Sequence, residues 1–164
     1  GSHSLLQKQV MYEESVRVPL LLRAPFHGLR HSRVRGPVSH IHLVPTLLEL
    51  LGRKQAAEGL PGASLLPAVA SAAQKEDAIL EWTADVKDSG PGPDGRAAIS
   101  PDGYKLVLYG GDRSILFDRN KDPLEMNNVY GRPEYREVQA RLRRRIESWQ
   151  KNTHDHFELP EPEA

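Results

Sequence analysis

Eight consecutive residues, Asp88-Ser89-Gly90-Pro91-Gly92-Pro93-Asp94-Gly95, bar regular structure from the middle of this chain. Proline has no backbone N–H to donate, and glycine loses the most conformational freedom on ordering. A helix or strand therefore stops before this stretch and a new one starts after it. The charge also changes sign across the chain. Residues 1–75 carry 9 basic and 4 acidic side chains, a net of +5, whereas residues 76–164 carry 13 and 18, a net of −5. Both signals predict two structural units, residues 1–84 and 96–152, joined by a loop at 85–95. The segment 153–164 is acidic and contains proline, so it is expected to be disordered. A chain of 164 residues is long enough to bury about 70% of its unfolded surface, so a true core is expected.

Composition removes several classes of function. The 22 basic and 22 acidic side chains cancel, which argues against a nucleic-acid partner. With no cysteine there is no disulfide scaffold, thiolate zinc site or cysteine nucleophile. The longest apolar run, around Val18 to Leu22, falls far short of the roughly 20 residues that cross a bilayer, so no membrane partner is expected.

Periodicity places the elements. Val16-Arg17-Val18-Pro19-Leu20-Leu21-Leu22 is short and apolar, which predicts a buried strand entered at Pro19. Leu43, Leu47, Leu50 and Leu51 share one face of a helix that begins near His42 and ends before Gly52. Val44 and Leu48 widen that face, so the helix is expected to be mostly buried. Ala78 to Trp82 reads as a second strand. Beyond the breaker, Arg96–Ile99, a turn at Ser100-Pro101-Asp102-Gly103, and Tyr104–Tyr109 predict a hairpin, with a further strand at Ser114–Phe117. Tyr135, Val138, Leu142, Ile146 and Trp149 form one stripe on a C-terminal helix that needs a sheet to cover. The residues alone thus give an α/β piece to about residue 84, then a small antiparallel sheet with one helix.

Five ordered blocks resemble the sulfatase family of the alkaline-phosphatase-like superfamily. They are His3-x-x-x-x-Lys8-x-x-Met11-Tyr12-Glu13-Glu14-Ser15-x-Arg17-x-Pro19, then Val38-Ser39-His40-Ile41-His42-Leu43-Val44-Pro45-Thr46-Leu47-Leu48-Glu49-Leu50-Leu51-Gly52, and Pro61-Gly62-Ala63-Ser64-Leu65-Leu66-Pro67. Lys105-Leu106-Val107 follows, and Leu116-Phe117-Asp118 through Asp122-Pro123-Leu124-Glu125-x-Asn127-Asn128-Val129 completes the set. The resemblance implies a C-terminal fragment: a remnant of the parallel-sheet sulfatase domain, then the antiparallel sheet packed by its helix. It implies a hydrolase of sulfuric esters that uses a formylglycine nucleophile and a calcium ion in its full form. The nucleophile motif, Cys or Ser-x-Pro-x-Arg, and the acidic metal cluster do not occur in these residues. The isolated chain is therefore expected to be inactive and to bind no calcium itself.

The resemblance assigns Lys8 to a sulfate oxygen, where a fixed ammonium stabilises negative charge. His3, five residues earlier, matches an active-site histidine of some subgroups, and equally reads as the scar Gly1-Ser2-His3 of a cleaved tag. Glu81, at the end of a strand, is a candidate for the substrate pocket, with a place on its rim as the plainer reading. Glu13 and Arg17 are spaced for a structural ion pair. His40 and His42 read as structural, having no carboxylate nearby that would complete a metal site. Arg141, Arg143, Arg144 and Arg145 read as a solvated face. A phosphodiesterase or phosphonate monoester hydrolase of the same superfamily is the alternative activity, and a non-enzymatic interaction module is the alternative class. A fragment of a larger sheet leaves apolar surface uncovered, so self-association through the Val16–Leu22 strand and the 43–51 helix is expected.

Overall fold

The computed structural model describes residue 3 and residues 10–29, 31–83, 94–111 and 114–162. Its centre is an antiparallel sheet in the order β1 (Ala78–Trp82), β2 (Gly95–Ile99), β3 (Tyr104–Tyr109), β4 (Ile115–Asp118). The hairpin β2–β3 turns at Ser100–Gly103, as its residues predict. Gly103 has φ +94°, a left-handed conformation that side chains resist, and a Cβ there would meet the Asn120 side chain at 2.6 Å.

The sheet is covered on both faces, so β2 is buried along its whole length and carries small residues. On one face Ala98, Leu106, Leu108 and Leu116 meet Leu142 and Ile146 of helix α4 (Arg136–Thr153). The expected stripe is therefore the helix's buried side. On the other face Ala97, Val107 and Tyr109 pack against Met11, with Val16, Leu80 and Trp82 around them. Gly95 is required by close packing, since a Cβ would lie 2.7 Å from the Tyr109 ring.

Four expectations are corrected. The first concerns β1, which the sequence grouped with residues 1–84. It pairs antiparallel with β2, Leu80 opposite Ala97, so it is the edge of the second unit's sheet. Second, residues 17–22 are not a strand. Helix α1 (Glu13–Val16) precedes an irregular stretch whose side chains are exposed, Leu21 at 94%. An apolar run forms a strand only beside a partner, and no described strand lies alongside it. The described strand pairs are all antiparallel, and parallel pairing is confined to a single bridge between Arg35 and Ala73.

Third, helix α2 (Leu43–Leu50) forms where expected, but its buried residues are Pro45 and Thr46, while Val44, Leu47 and Leu51 are exposed. What holds it is polar. Thr46 Oγ1 donates to His42 O (2.6 Å) and accepts from Leu65 N–H (2.9 Å), and His42 Nδ1 accepts from Ala63 N–H (3.1 Å). Gly62 lets the two segments touch, because a Cβ there would lie 2.1 Å from Ile41 O. The turn 62–65 leads into helix α3 (Leu66–Ser71).

Fourth, the described part of the tail, residues 154–162, packs against the rest of the molecule. Arg96 donates from Nε and Nη2 to the two carboxylate oxygens of Asp155 (2.6 and 2.7 Å), and its guanidinium lies 4.6 Å from the centre of the Phe157 ring. Leu159 packs on the core, and Arg143 donates to Pro160 O (2.7 Å). A bidentate, largely buried pair and two apolar anchors outweigh the composition of the segment. Two further arginines of α4 make ion pairs near the surface, Arg141 with Asp102 and Arg145 with Asp77, in keeping with a solvated face.

Leu142 is fully buried at the centre of this packing, so Leu142→Ala is expected to cost about 2–5 kcal/mol in urea unfolding. The Arg96 guanidinium, through its hydrogen bonds, holds the Asp155 carboxyl at about 2, below its ordinary 3.8. A depressed carboxyl contributes stability that is present above its unfolded value and lost as pH falls through the folded one. Asp155→Asn is therefore expected to lower the melting temperature at pH 7, with the difference from wild type closing as pH falls from about 4 towards 2. A pH-independent difference would count against this pairing.

Candidate functional site

The second face of the sheet carries the most unusual chemistry of the molecule. Alternation along β3 aims Leu106 and Leu108 at α4 and Lys105, Val107 and Tyr109 at the Met11–Val16 segment. Lys105 is fully buried there. An ammonium taken out of water needs both compensating charge and hydrogen-bond acceptors. Both come from Glu125, whose carboxylate oxygens accept from Lys105 Nζ at 2.9 and 3.0 Å. Glu125 is 2% exposed and sits at φ +55°, which turns its side chain back under the sheet. Its Oε2 also accepts the backbone N–H of Glu13 (2.9 Å).

Glu13 closes the cluster. Its carboxylate accepts from Arg119 Nη2 at 2.8 Å and from Lys105 Nζ at 3.4 Å, with Arg17 Nη1 at 4.0 Å on the rim. The expected Glu13–Arg17 pair is thus present but is the outermost of several contacts. Beside it, Tyr109 Oη accepts the Met11 N–H at 3.0 Å. Burial pushes the Tyr109 phenol and the Glu125 carboxyl upward, and Lys105 opposes the shift at Glu125. The buried Lys105 and the partly exposed Arg119 balance the two carboxylates, so the cluster fastens the segment and leaves none of these four groups unpaired.

His3 lies against the same segment. Its ring stacks on Tyr12, centroids 3.8 Å apart and planes 11° apart, and its Nε2 is 3.7 Å from Glu14 Oε2. Tyr12 in turn leans on Phe117 of β4 (5.9 Å). Lys8, the principal candidate, lies outside the described residues. Glu81 does not join this group. It accepts from Trp149 Nε1 at 2.5 Å on the α4 face, whereas Leu80 and Trp82 face the Met11 side.

Next to the cluster lies a cleft of about 730 Å³, lined by Arg17, Arg33, Arg35, His40, Arg119 and Glu13 among others. Its charge suits an anion better than a cation. Among the described residues no three His, Asp or Glu side chains converge as metal ligands. Glu14, 3.7 Å from His3 Nε2, is a single half-exposed carboxylate, and Glu13 and Glu125 are engaged by Lys105 and Arg119, so the described residues do not gather the oxygen ligands a calcium ion needs. His40 and His42 form no pair: His42 is buried in the 62–65 contact, and His40 is exposed.

Sequence reasoning placed Lys105 and Glu125 in motif blocks without giving them a role. The available signal was Lys105 itself, a charge at an inward position of a strand, Tyr104 to Tyr109, that is otherwise apolar or aromatic. Its partner, twenty residues on, follows no period. Tyr109→Phe leaves the buried Met11 N–H without its acceptor, and is expected to cost about 1–3 kcal/mol in denaturant unfolding.

Comparison with known proteins agrees with this geometry. The family model for the C-terminal part of N-sulphoglucosamine sulphohydrolase matches residues 1–152. The sulfatase YidJ of Escherichia coli is 32% identical over 87% of this chain, and an N-acetylglucosamine-6-O-sulfatase of Bacteroides thetaiotaomicron is 28% identical over 94%. The chain spans only 28% of the length of each. The structure of BT4656 in complex with its substrate, D-glucosamine-2-N,6-O-disulfate, superposes on 70% of this chain and 24% of its own, with a TM-score of 0.60 at 24% identity, a likeness of fold. With a family model over nearly its whole length and a curated sulfatase 32% identical across most of it, the chain belongs to the sulfatases, in their N-sulphoglucosamine sulphohydrolase C-terminal family.

Proposed function

We propose that this chain is the C-terminal part of a sulfuric-ester hydrolase and is inactive alone. In this reading the formylglycine nucleophile and the calcium ion that polarises the sulfate belong to a preceding part of the same protein, and Lys8 holds a sulfate oxygen. The observation that carries the reading is spatial. Glu13, Lys105 and Glu125, from three separate sulfatase-like blocks, meet in one buried cluster. The sulfated glucosamine in the related structure supports a sulfated substrate. His3, held on Tyr12, would stand at the same end of the segment as Lys8, and a role in protonating the leaving oxygen suits its chemistry.

The same reading accounts for the uncovered apolar surface. Val18, Leu20, Leu21 and Leu22, together with Leu47 of α2 and Leu51 just past its end, would be covered by the preceding part of the catalytic domain. Without it, the isolated chain is expected to self-associate in light scattering and to bind a hydrophobic dye. A dye-negative, monodisperse monomer would count against this assignment.

Two assays address the chemistry. The isolated chain with 4-nitrophenyl sulfate and calcium is expected to show no turnover above background, and turnover would overturn its inactivity. In the full-length protein, Lys8→Ala is expected to lower kcat about 10²–10³-fold on sulfate esters, the scale on which a charge-stabilising donor contributes. Hydrolysis of phosphonate monoesters but not of sulfate esters would replace this reading with the phosphoryl one.

A further inference from the structure

We infer that the cleft edged by Arg17, Arg33, Arg35 and Arg119 is the docking place of an acidic segment from the preceding part of the same protein, a step that rests on the reading above in which that part covers Val18 and Leu20. Charge compensation requires it. Val18, Pro19 and Leu20 line the cleft together with Arg17, Arg33 and Arg35. Whatever covers the aliphatic wall therefore takes the arginines out of water as well. A guanidinium does not shed its proton in a protein, and one shut away without a counter-charge is strongly destabilising.

The residues around the cleft do not supply that charge. No Asp or Glu occurs from Ser15 to Leu48, a stretch that holds five arginines and four histidines. Among the described residues, Glu13 is the one acidic residue in the lining. It is already engaged by Arg119 at 2.8 Å and by Lys105 at 3.4 Å. Arg17 reaches it only at 4.0 Å, with a side chain 72% exposed. Arg33 and Arg35 have no carboxylate partner among the described residues. The backbone that carries Arg35 is nonetheless fixed. Its N–H donates to Ala72 O (3.0 Å) and its carbonyl accepts from Gln74 N–H (2.7 Å).

The walls favour a peptide over other anions. Val18, Leu20, Val34, Val38, Leu43 and Leu80 are aliphatic, and the described lining holds no Phe, Tyr or Trp. Nucleobases stack on aromatic faces, and sugar rings lay their C–H faces on them. At about 730 Å³ the cleft is far larger than one inorganic anion and has room for several side chains. Aliphatic walls set with separate guanidinium groups match a segment that mixes apolar side chains with Asp or Glu, each carboxylate taking one guanidinium fork.

The test uses the full-length protein. Arg33→Lys and Arg35→Lys keep the charge and offer an amine that a carbodiimide couples to a carboxylate in contact with it. Each variant is expected to yield a linked peptide, read by mass spectrometry, that joins the cleft to an Asp or Glu outside residues 1–164. In the wild type, Arg33 and Arg35 are expected to react with phenylglyoxal about tenfold or more slowly than in the urea-unfolded protein. Arginines that react as fast as in urea would overturn the docking, and so would shielded arginines whose variants give no link beyond residues 1–164. Leu21→Cys, at an exposed side chain, reports on the cover itself. Its alkylation as fast as in urea would overturn the cover and the docking together, whereas slow alkylation beside reactive arginines would overturn the docking alone. Turnover of sulfate esters by the same protein decides the sulfuric-ester reading separately.

Discussion

The fully buried ammonium of Lys105 is the constraint around which the rest of the structure is arranged. A charge at the centre of a sheet is tolerated only with a counter-charge of fixed geometry. Glu125 supplies it, at the expense of a left-handed backbone, and has one acceptor direction left over for the Glu13 N–H. That bond brings the Met11–Val16 segment onto the second face of the sheet. With both faces closed, β2 is buried throughout and carries Gly95, Ala97 and Ala98, and a Cβ at Gly95 would lie 2.7 Å from the Tyr109 ring.

The same balance determines what this part of the protein can do. Its central carboxylates, Glu13 and Glu125, are engaged by Arg119 and Lys105. What remains next to the cluster is a cleft edged by Arg17, Arg33, Arg35 and Arg119, cationic in character.

Two surfaces show how context overrides local pattern. Residues 18–22 have the composition of a buried strand and lie exposed, since backbone hydrogen bonds need a neighbouring strand. The tail has the composition of a disordered segment and lies ordered, since Arg96 offers Asp155 a bidentate, partly desolvated partner and Phe157 a cation to cover. In each case the deciding group is remote in sequence.

The sequence alone determined the local elements. The 3.6-residue stripe of α4, the Ser100–Gly103 turn and the strands on either side of it follow from periodicity and from the steric demands of glycine and proline, which act over a few residues. The order of its motif blocks was enough to show a likeness to sulfatases. The tertiary structure decided which strand pairs with which, moving Ala78–Trp82 into the second sheet. It also decided that Glu81 turns to α4 and away from His3, and that Glu13, Lys105, Arg119 and Glu125 form one cluster. Pairing and ion clustering depend on contacts between residues up to 112 positions apart, and no local period encodes those. Charge compensation in a dry interior encodes them instead, and it takes effect only once the chain has folded.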